Sequence, residues 1–515
     1  MSRTDGDVYP ALSCHAAQGR VGSRSVSLSG CAMLSFLRFS APAFIRTGIA
    51  GRLVCYSMAT ALLPVPVWAA AVPKDIGAAF ARARIPLSDV ALYVKVVKDK
   101  RPRLAHRPDV AMNPASTMKL VTTYAGLSLL GPVYTWGTDV HVNGSLQHGV
   151  LQGDLILRGG GDPRLNLERM WLMLRELQSR GVKEIRGDVV LDRVYWSQQA
   201  LDANAFDGAG HRSYNVPPDA FLANFQSVRL RIRDEAGVIR VQADPALPEL
   251  KLDAKLIPGN GECGDWREQL NISTEPIGSL TVSGIYPSAC GERNLYLSAL
   301  TPPDYLRELL KTMWHDLGGK WTGSLRDGQL AAFPDSHLLT RFESVPLAEV
   351  VRDINKFSNN TQARMLFLAL GGEFQPIEQL LPQAADRVRH FLDGQGIPTT
   401  GLALDNGSGL SRDERITAGQ LGMLLEKAVN SPVGPELIAS LPIVGMDGTM
   451  KKRLTDTAVT AKAHVKTGSL NGVRAVAGIV HRVDGPVVVV GIVNHPRAFA
   501  ATDALDQLIE WAGKE

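Results

Sequence analysis

Asn113-Pro114-Ala115-Ser116-Thr117-Met118-Lys119-Leu120 decides how this 515-residue chain is read. Pro114 breaks the chain just before Ser116. From Lys119 onward apolar residues recur at Leu120, Val121, Tyr124, Leu127, Leu129 and Leu130, until Gly131-Pro132 ends the pattern. That spacing predicts a buried helix with Ser116 at its N-terminus. The backbone N–H groups there are free and the helix dipole favours negative charge. Residues three apart share a helix face, so the Lys119 amine reaches the Ser116 hydroxyl. A serine is a poor nucleophile until a base takes its proton. Lysine serves as that base only when neutral, a state that burial and a second nearby cation favour. Alone, Ser-x-x-Lys also describes an ordinary helix start with a surface lysine, so the partners must lie elsewhere.

Two more motifs follow in order: Ser358-Asn359-Asn360, ahead of an apolar helix from Thr361 to Leu370, and Lys466-Thr467-Gly468, at a strand. Each alone reads as a helix cap or a strand end. Together they match a known acyl-transfer constellation. In it Ser116 attacks a carbonyl and Lys119 takes its proton. Ser358 passes a proton to the leaving amine, and Asn360 bonds the peptide and steadies Lys119. Lys466 supplies positive potential that keeps Lys119 neutral and favours an anionic substrate end. Thr467 donates to a terminal carboxylate, and Gly468 lets the backbone approach the ligand. Backbone N–H groups of Ser116 and Ser469 are expected to form the oxyanion hole.

The chain resembles the DacB-like class C low-molecular-mass penicillin-binding proteins, which are D-alanyl-D-alanine carboxypeptidases and endopeptidases. The resemblance rests on Ser116-Thr117-Met118-Lys119, Lys356-Phe357-Ser358-Asn359-Asn360 and Lys466-Thr467-Gly468-Ser469. The turn Asp405-Asn406-Gly407-Ser408-Gly409-Leu410-Ser411-Arg412 also matches the family's Asp-Gly-Ser-Gly-Leu-Ser, with Asn406 added. The distance from position 116 to position 358 implies the family's large insertion. The expected fold is α/β (α+β): a β-lactamase/transpeptidase-like domain, with an antiparallel sheet flanked by helices, interrupted by two mainly β domains. The expected boundaries are 72–137 with 345–515 for the catalytic domain, 138–161 with 225–344 for one insert, and 162–224 for the other. The resemblance also implies an insert aspartate that contacts the free amine of the stem peptide, for which Asp192, after Val189-Val190-Leu191, is the candidate. The match there is short, and Arg193 departs from the family's usual next residue.

The expected substrate is the peptidoglycan stem peptide, cut at D-Ala-D-Ala termini, at D-Ala–diaminopimelate cross-links, or both. β-Lactams would acylate the same serine. Peripheral membrane association or a homodimer is a further expectation. The alternatives are a β-lactamase-like hydrolase, which the long gap between motifs disfavours, and a non-catalytic wall-binding module.

Composition agrees with a soluble globular chain, 45% hydrophobic and 21% charged. Residues 1–71 hold six arginines, no lysine and two acids, so the totals of 55 basic and 51 acidic residues become 49 and 49 beyond them. That balance gives no nucleic-acid footprint. Arg38, Arg46 and Arg52, the apolar run from Leu53 to Trp68 and Ala69-Ala70-Ala71 read as a leader for export to the periplasm, with the mature chain starting near Val72. An uncleaved anchor is the other reading. Beyond the leader the only cysteines are Cys263 and Cys290, either a disulfide or two free thiols. No Cys-x-x-Cys or paired histidine spacing points to a metal, and no cofactor is expected.

Overall fold

The computed structural model describes residues 71–197 and 201–514, so the leader reading of the N-terminal 70 residues lies outside the described part. A five-stranded antiparallel sheet runs in the order Leu104–His106, Val90–Val96, Gly485–Asn494, Val473–Arg482, Ala463–Leu470. The run Val487-Val488-Val489-Val490 is apolar without alternation because both faces of its strand are covered. Val488 and Val490 face one core, and Val487 and Val489 face the other. Helices Lys74–Arg82 and Thr502–Gly513 cover the second face. The first face meets an all-helical half centred on Lys119–Leu129, which packs against Leu347–Lys356, Asn360–Gly371, Ile377–Gly394 and Ala418–Val429.

The sequence predicts a helix only over 386–393. The observed helix starts at Ile377 and carries Pro382 inside it. Ile377, Leu380, Ala384, Val388 and Leu392 are all buried on one face, and that packing outweighs the lost backbone bond.

The strands between the first two motifs are divided differently from the expected boundaries. The hairpin Gly137–Gln147 and Val150–Arg158 belongs to one seven-stranded sheet, together with Glu184–Ile185, Val189–Asp192, Lys320–Trp321, Leu325–Asp327 and His337–Glu343. Val189–Asp192 pairs parallel with Val150–Arg158. A parallel pair needs a crossover, and helix Leu167–Ser179 supplies it. Thus 162–224 contributes strands to the sheet begun at 137 rather than forming a unit of its own. The stretch 228–297 instead makes two three-stranded sheets. The alternation of Val228, Leu230 and Ile232 into the core is as the sequence predicts. Cys263 and Cys290 are joined as a disulfide there. One apolar cluster runs through both groups of sheets, from Val140 to Tyr286.

Candidate active site

Ser116 sits in a short 3₁₀ turn, Ala115–Met118, that leads directly into the helix Lys119–Leu129. Ala115 is held in left-handed backbone at φ 46°, which costs on the order of 1 kcal/mol or more and must be imposed by its surroundings. Asn113 imposes it. Its Oδ1 accepts from the Ala115 N–H at 2.9 Å, and its Nδ2 donates to the Ser411 carbonyl. Its backbone pairs with Asn494 at the end of the central strand. The nucleophile turn is therefore fastened to both the sheet and the 405–412 turn.

Lys119 is fully buried. Its Nζ lies 3.0 Å from Ser116 Oγ, 2.6 Å from Asn360 Oδ1 and 2.5 Å from the Ser408 carbonyl. Its pKa is held well below the ordinary lysine value, first by burial and next by the charge of Lys466. Glu414 pulls in the opposite direction, and Arg364 adds to the lowering. A lysine so placed is available as a neutral base.

Lys466 is also fully buried, and burial pushes its pKa down to about 7. Its Nζ donates to Ser358 Oγ at 2.9 Å and to the Thr467 carbonyl at 2.8 Å. Ser358, at φ 57°, is the second left-handed residue of the site. The Ser358 backbone follows a helix whose end is tied down by the Lys356–Asp447 pair at 2.6 Å. Asn359 caps the next helix by accepting from the Gln362 N–H, which turns Asn360 toward Lys119.

Ala463–Leu470 is the edge strand of the sheet, and it runs beside the Ser116 turn. Gly468 has a different near neighbour from the expected ligand. A Cβ there would stand 2.6 Å from the Pro114 carbonyl, so the glycine lets the strand meet the nucleophile turn. Thr467 Oγ1 bonds Thr449 Oγ1 at 2.9 Å. Ser469 is exposed on the same strand, its hydroxyl bonded by Arg474.

The structure does not bring Asp192 to this cleft. The residue is 1% exposed, and its carboxylate accepts from the Val194 and Leu330 N–H groups at 3.0 and 2.8 Å, with Arg158 at 3.9 Å. Burial, more than these bonds, closes the carboxylate to a substrate amine in this arrangement. The Leu330 partner arrives from a turn far along the chain.

Three features escaped the sequence reading. The sequence assigns the turn 405–412 no role, yet its Ser408 carbonyl holds Lys119. Gly409, at φ 78°, passes so near Ala115 that a Cβ would stand 2.0 Å from that carbonyl oxygen. Glu414 is completely buried, and its Oε1 clamps the turn by accepting from the Gly407 and Asn406 N–H groups at 2.8 and 3.2 Å. Burial raises its pKa to about 7. The added Asn406, which binds Ser408 through its side chain, was the one visible hint.

Residues 72–515 match the D-Ala-D-Ala carboxypeptidase 3 (S13) family along their whole length. The chain belongs to that family. It is a serine-type D-Ala-D-Ala carboxypeptidase on the penicillin-binding, transpeptidase-like fold. The D-alanyl-D-alanine carboxypeptidase of Actinomadura sp. (strain R39) is 29% identical over 425 residues, 78% of each chain. DacB of Haemophilus influenzae is 26% identical over 408 residues, 78% of this chain and 84% of that protein. The crystal structure of penicillin binding protein 4 (dacB) from Haemophilus influenzae superposes with a TM-score of 0.67 at 22% identity, covering 85% of this chain and 99% of that one. The predatory endopeptidase Bd3459 of Bdellovibrio bacteriovorus, in complex with an immunity protein, shares the fold at a TM-score of 0.51 and 16% identity, with 82% and 94% covered. Among the described residues of this S13 chain, no helix is long and apolar enough to cross a membrane.

Proposed function

We propose that Ser116 is the nucleophile of this carboxypeptidase, Lys119 its base, and Ser358 with Lys466 the route by which a proton reaches the leaving group. The observation that carries this reading is the 3.0 Å separation of Lys119 Nζ from Ser116 Oγ, around a lysine that is buried and held by Asn360 and Ser408. Ser116 Oγ forms a bond to the carbonyl carbon of the penultimate D-alanine, and Lys119 takes the hydroxyl proton. The C–N bond breaks, and the departing amine gains a proton through Ser358 and Lys466. Water then hydrolyses the ester and regenerates Ser116. Thr467 and the strand N–H groups near Ser469 face the terminal carboxylate and the developing oxyanion. The substrates are D-Ala-D-Ala ends, D-Ala–diaminopimelate cross-links, or both, of wall peptide met in the periplasm.

Intact-mass measurement after benzylpenicillin tests the assignment. The chain gains the mass of one penicilloyl group, and Ser116→Ala gains none. A wild-type chain that stays unmodified refutes the mechanism. Rapid turnover of nitrocefin would move the protein toward the β-lactamases.

A further inference from the structure

The stretch 213–216 docks on the catalytic helix Asn360–Gly371. Asn360 Nδ2 donates to the Tyr214 carbonyl at 3.4 Å, and Thr361 Oγ1 donates to the Val216 carbonyl at 3.3 Å. The residue that steadies Lys119 therefore also carries Tyr214. Beside it a cavity of about 720 Å³ is lined by Ser358 and Asn360 and also by Phe225, Arg229, Asp244 and Tyr296.

Phe225 is presented to this cavity by an unusual backbone. Asn224, Phe225 and Gln226 all have positive φ, at 45°, 53° and 49°. Side-chain bonds from Asn224 to Tyr305 Oη, at 2.8 Å, and from Gln226 to the Leu300 carbonyl, at 2.6 Å, hold the run in place. Three consecutive left-handed non-glycine residues are costly, and such strain concentrates where a ligand is held. Arg229 brings no net charge to this cavity, since Asp244 pairs with it.

Tyr214 and Tyr296 also line a second cavity, of about 260 Å³, whose other walls include Arg212 and Arg267. Both tyrosines are well exposed, at 40% and 50%. Among the described residues neither arginine enters an ion pair. Asp207, which feels the Arg212 charge, also accepts from Tyr214 Oη at 2.8 Å and Asn215 Nδ2 at 2.7 Å. Arg267 lies over the Trp266 ring at 4.7 Å and leaves its edge to solvent. Two guanidinium groups at one cavity, neither in an ion pair among the described residues and with Asp207 offsetting only part of the Arg212 charge, suit a planar bidentate anion such as a carboxylate.

We propose that Arg212 and Arg267 form a remote substrate subsite that holds a carboxylate of the peptidoglycan peptide, reached from Ser116 through the larger cavity and past Tyr214 and Tyr296. The proposal rests on the peptidase reading of Ser116 and adds the recognition of acidic wall peptide at a distance from the scissile bond. Stem peptides carry carboxylates besides the one at the cleaved end. The bound carboxylate belongs either to the stem being cut or to a second stem joined to it by a cross-link.

The full chain and its Arg212→Gln, Arg267→Gln and double variants are to be assayed on three substrates. These are a D-Ala-D-Ala stem pentapeptide with free internal carboxylates, the same peptide with those carboxylates amidated, and a cross-linked stem dimer. Benzylpenicillin acylation of Ser116 is measured in parallel and is expected to be unchanged in every variant. A charge-assisted contact partly open to solvent is worth roughly tenfold in kcat/KM, carried by KM. The double variant is expected to lose about that much on a carboxylate-bearing substrate and nothing on the amidated one. Its dependence on salt should flatten with the loss. Loss on the free pentapeptide assigns the carboxylate to the stem being cut, and loss confined to the dimer assigns it to the joined stem. Equal effects on free and amidated substrates, or none on any, overturn the subsite. Failure of the wild type to be acylated by penicillin would instead overturn the peptidase reading itself.

Discussion

The Lys466→Met substitution tests the central electrostatic claim, that a lysine from the edge strand helps keep Lys119 neutral. After burial, Lys466 is the largest influence lowering the Lys119 pKa. Two unit charges about 6 Å apart at an effective dielectric near 20 repel by about 3 kcal/mol, or about 2 pKa units. Lys466 has its own pKa at about 7, so near neutrality it is charged roughly half of the time, and the expected shift is about one unit. The sign is fixed by the chemistry. Acylation requires neutral Lys119, so its rate rises with pH through the Lys119 pKa. Removing a neighbouring cation raises that pKa and moves the acid limb to higher pH. Below the limb the variant should acylate up to about tenfold more slowly than its plateau rate predicts for the wild-type pKa. The assay is the second-order rate of benzylpenicillin acylation between pH 5 and 10, followed by stopped flow. Methionine also removes the bond to Ser358, which lowers the whole curve without displacing it. Glu414→Gln supplies the opposite sign. Glu414 raises the Lys119 pKa, so the amide, which still accepts from Gly407, should move the limb to lower pH. A Lys466→Met limb that stays in place, or moves to lower pH, would refute the reasoning even if Ser116 were confirmed as the nucleophile.

Three further outcomes follow from particular contacts. Gly409→Ala places a methyl into the Ala115 carbonyl, and should cost roughly 3 kcal/mol in urea unfolding together with most of the acylation rate; full acylation would mean the turn does not support the nucleophile. Opening Cys263–Cys290, which lie 27 positions apart in sequence, should cost about 3 kcal/mol, read from the fluorescence of the buried Trp266 in urea with and without reductant. Acylation of Ser116 should survive that reduction under native conditions, because the disulfide lies among the strands of 228–297; a parallel loss of acylation would contradict this. Asn113→Ala removes the acceptor that holds Ala115 at positive φ and should slow acylation at least tenfold with little change in the affinity for substrate, measured as a fall in kcat at constant KM.

Much of the catalytic half is legible in the chain. Helix periodicity places Ser116 and Lys119 on one face, and the alternation of Val228, Leu230 and Ile232 marks their strand, because these patterns depend on residues within a turn or two. The three motifs name the reacting groups for the same reason: each is a short stretch whose side chains share a turn or a strand. The partition of the insertion was not legible. Strands 184–185 and 189–192 pair with a strand closed some thirty residues earlier, across a helix, and parallel pairing leaves no local signature.

What the sequence by itself determined is the set of groups able to do the chemistry and the helix that begins at Lys119, one turn after Ser116. What only the tertiary structure decided is the protonation those groups adopt. The Lys119 pKa depends on burial by 405–412 and on charges at 364, 414 and 466, none of them its neighbours in the chain. Asp192 shows the same limit from the other side: a suitable residue at a suitable strand end, occupied by a loop that only folding brings to it. Desolvation and Coulomb interactions are set by what packs around a group. That packing comes from the whole chain, whereas periodicity and motif spacing are written locally.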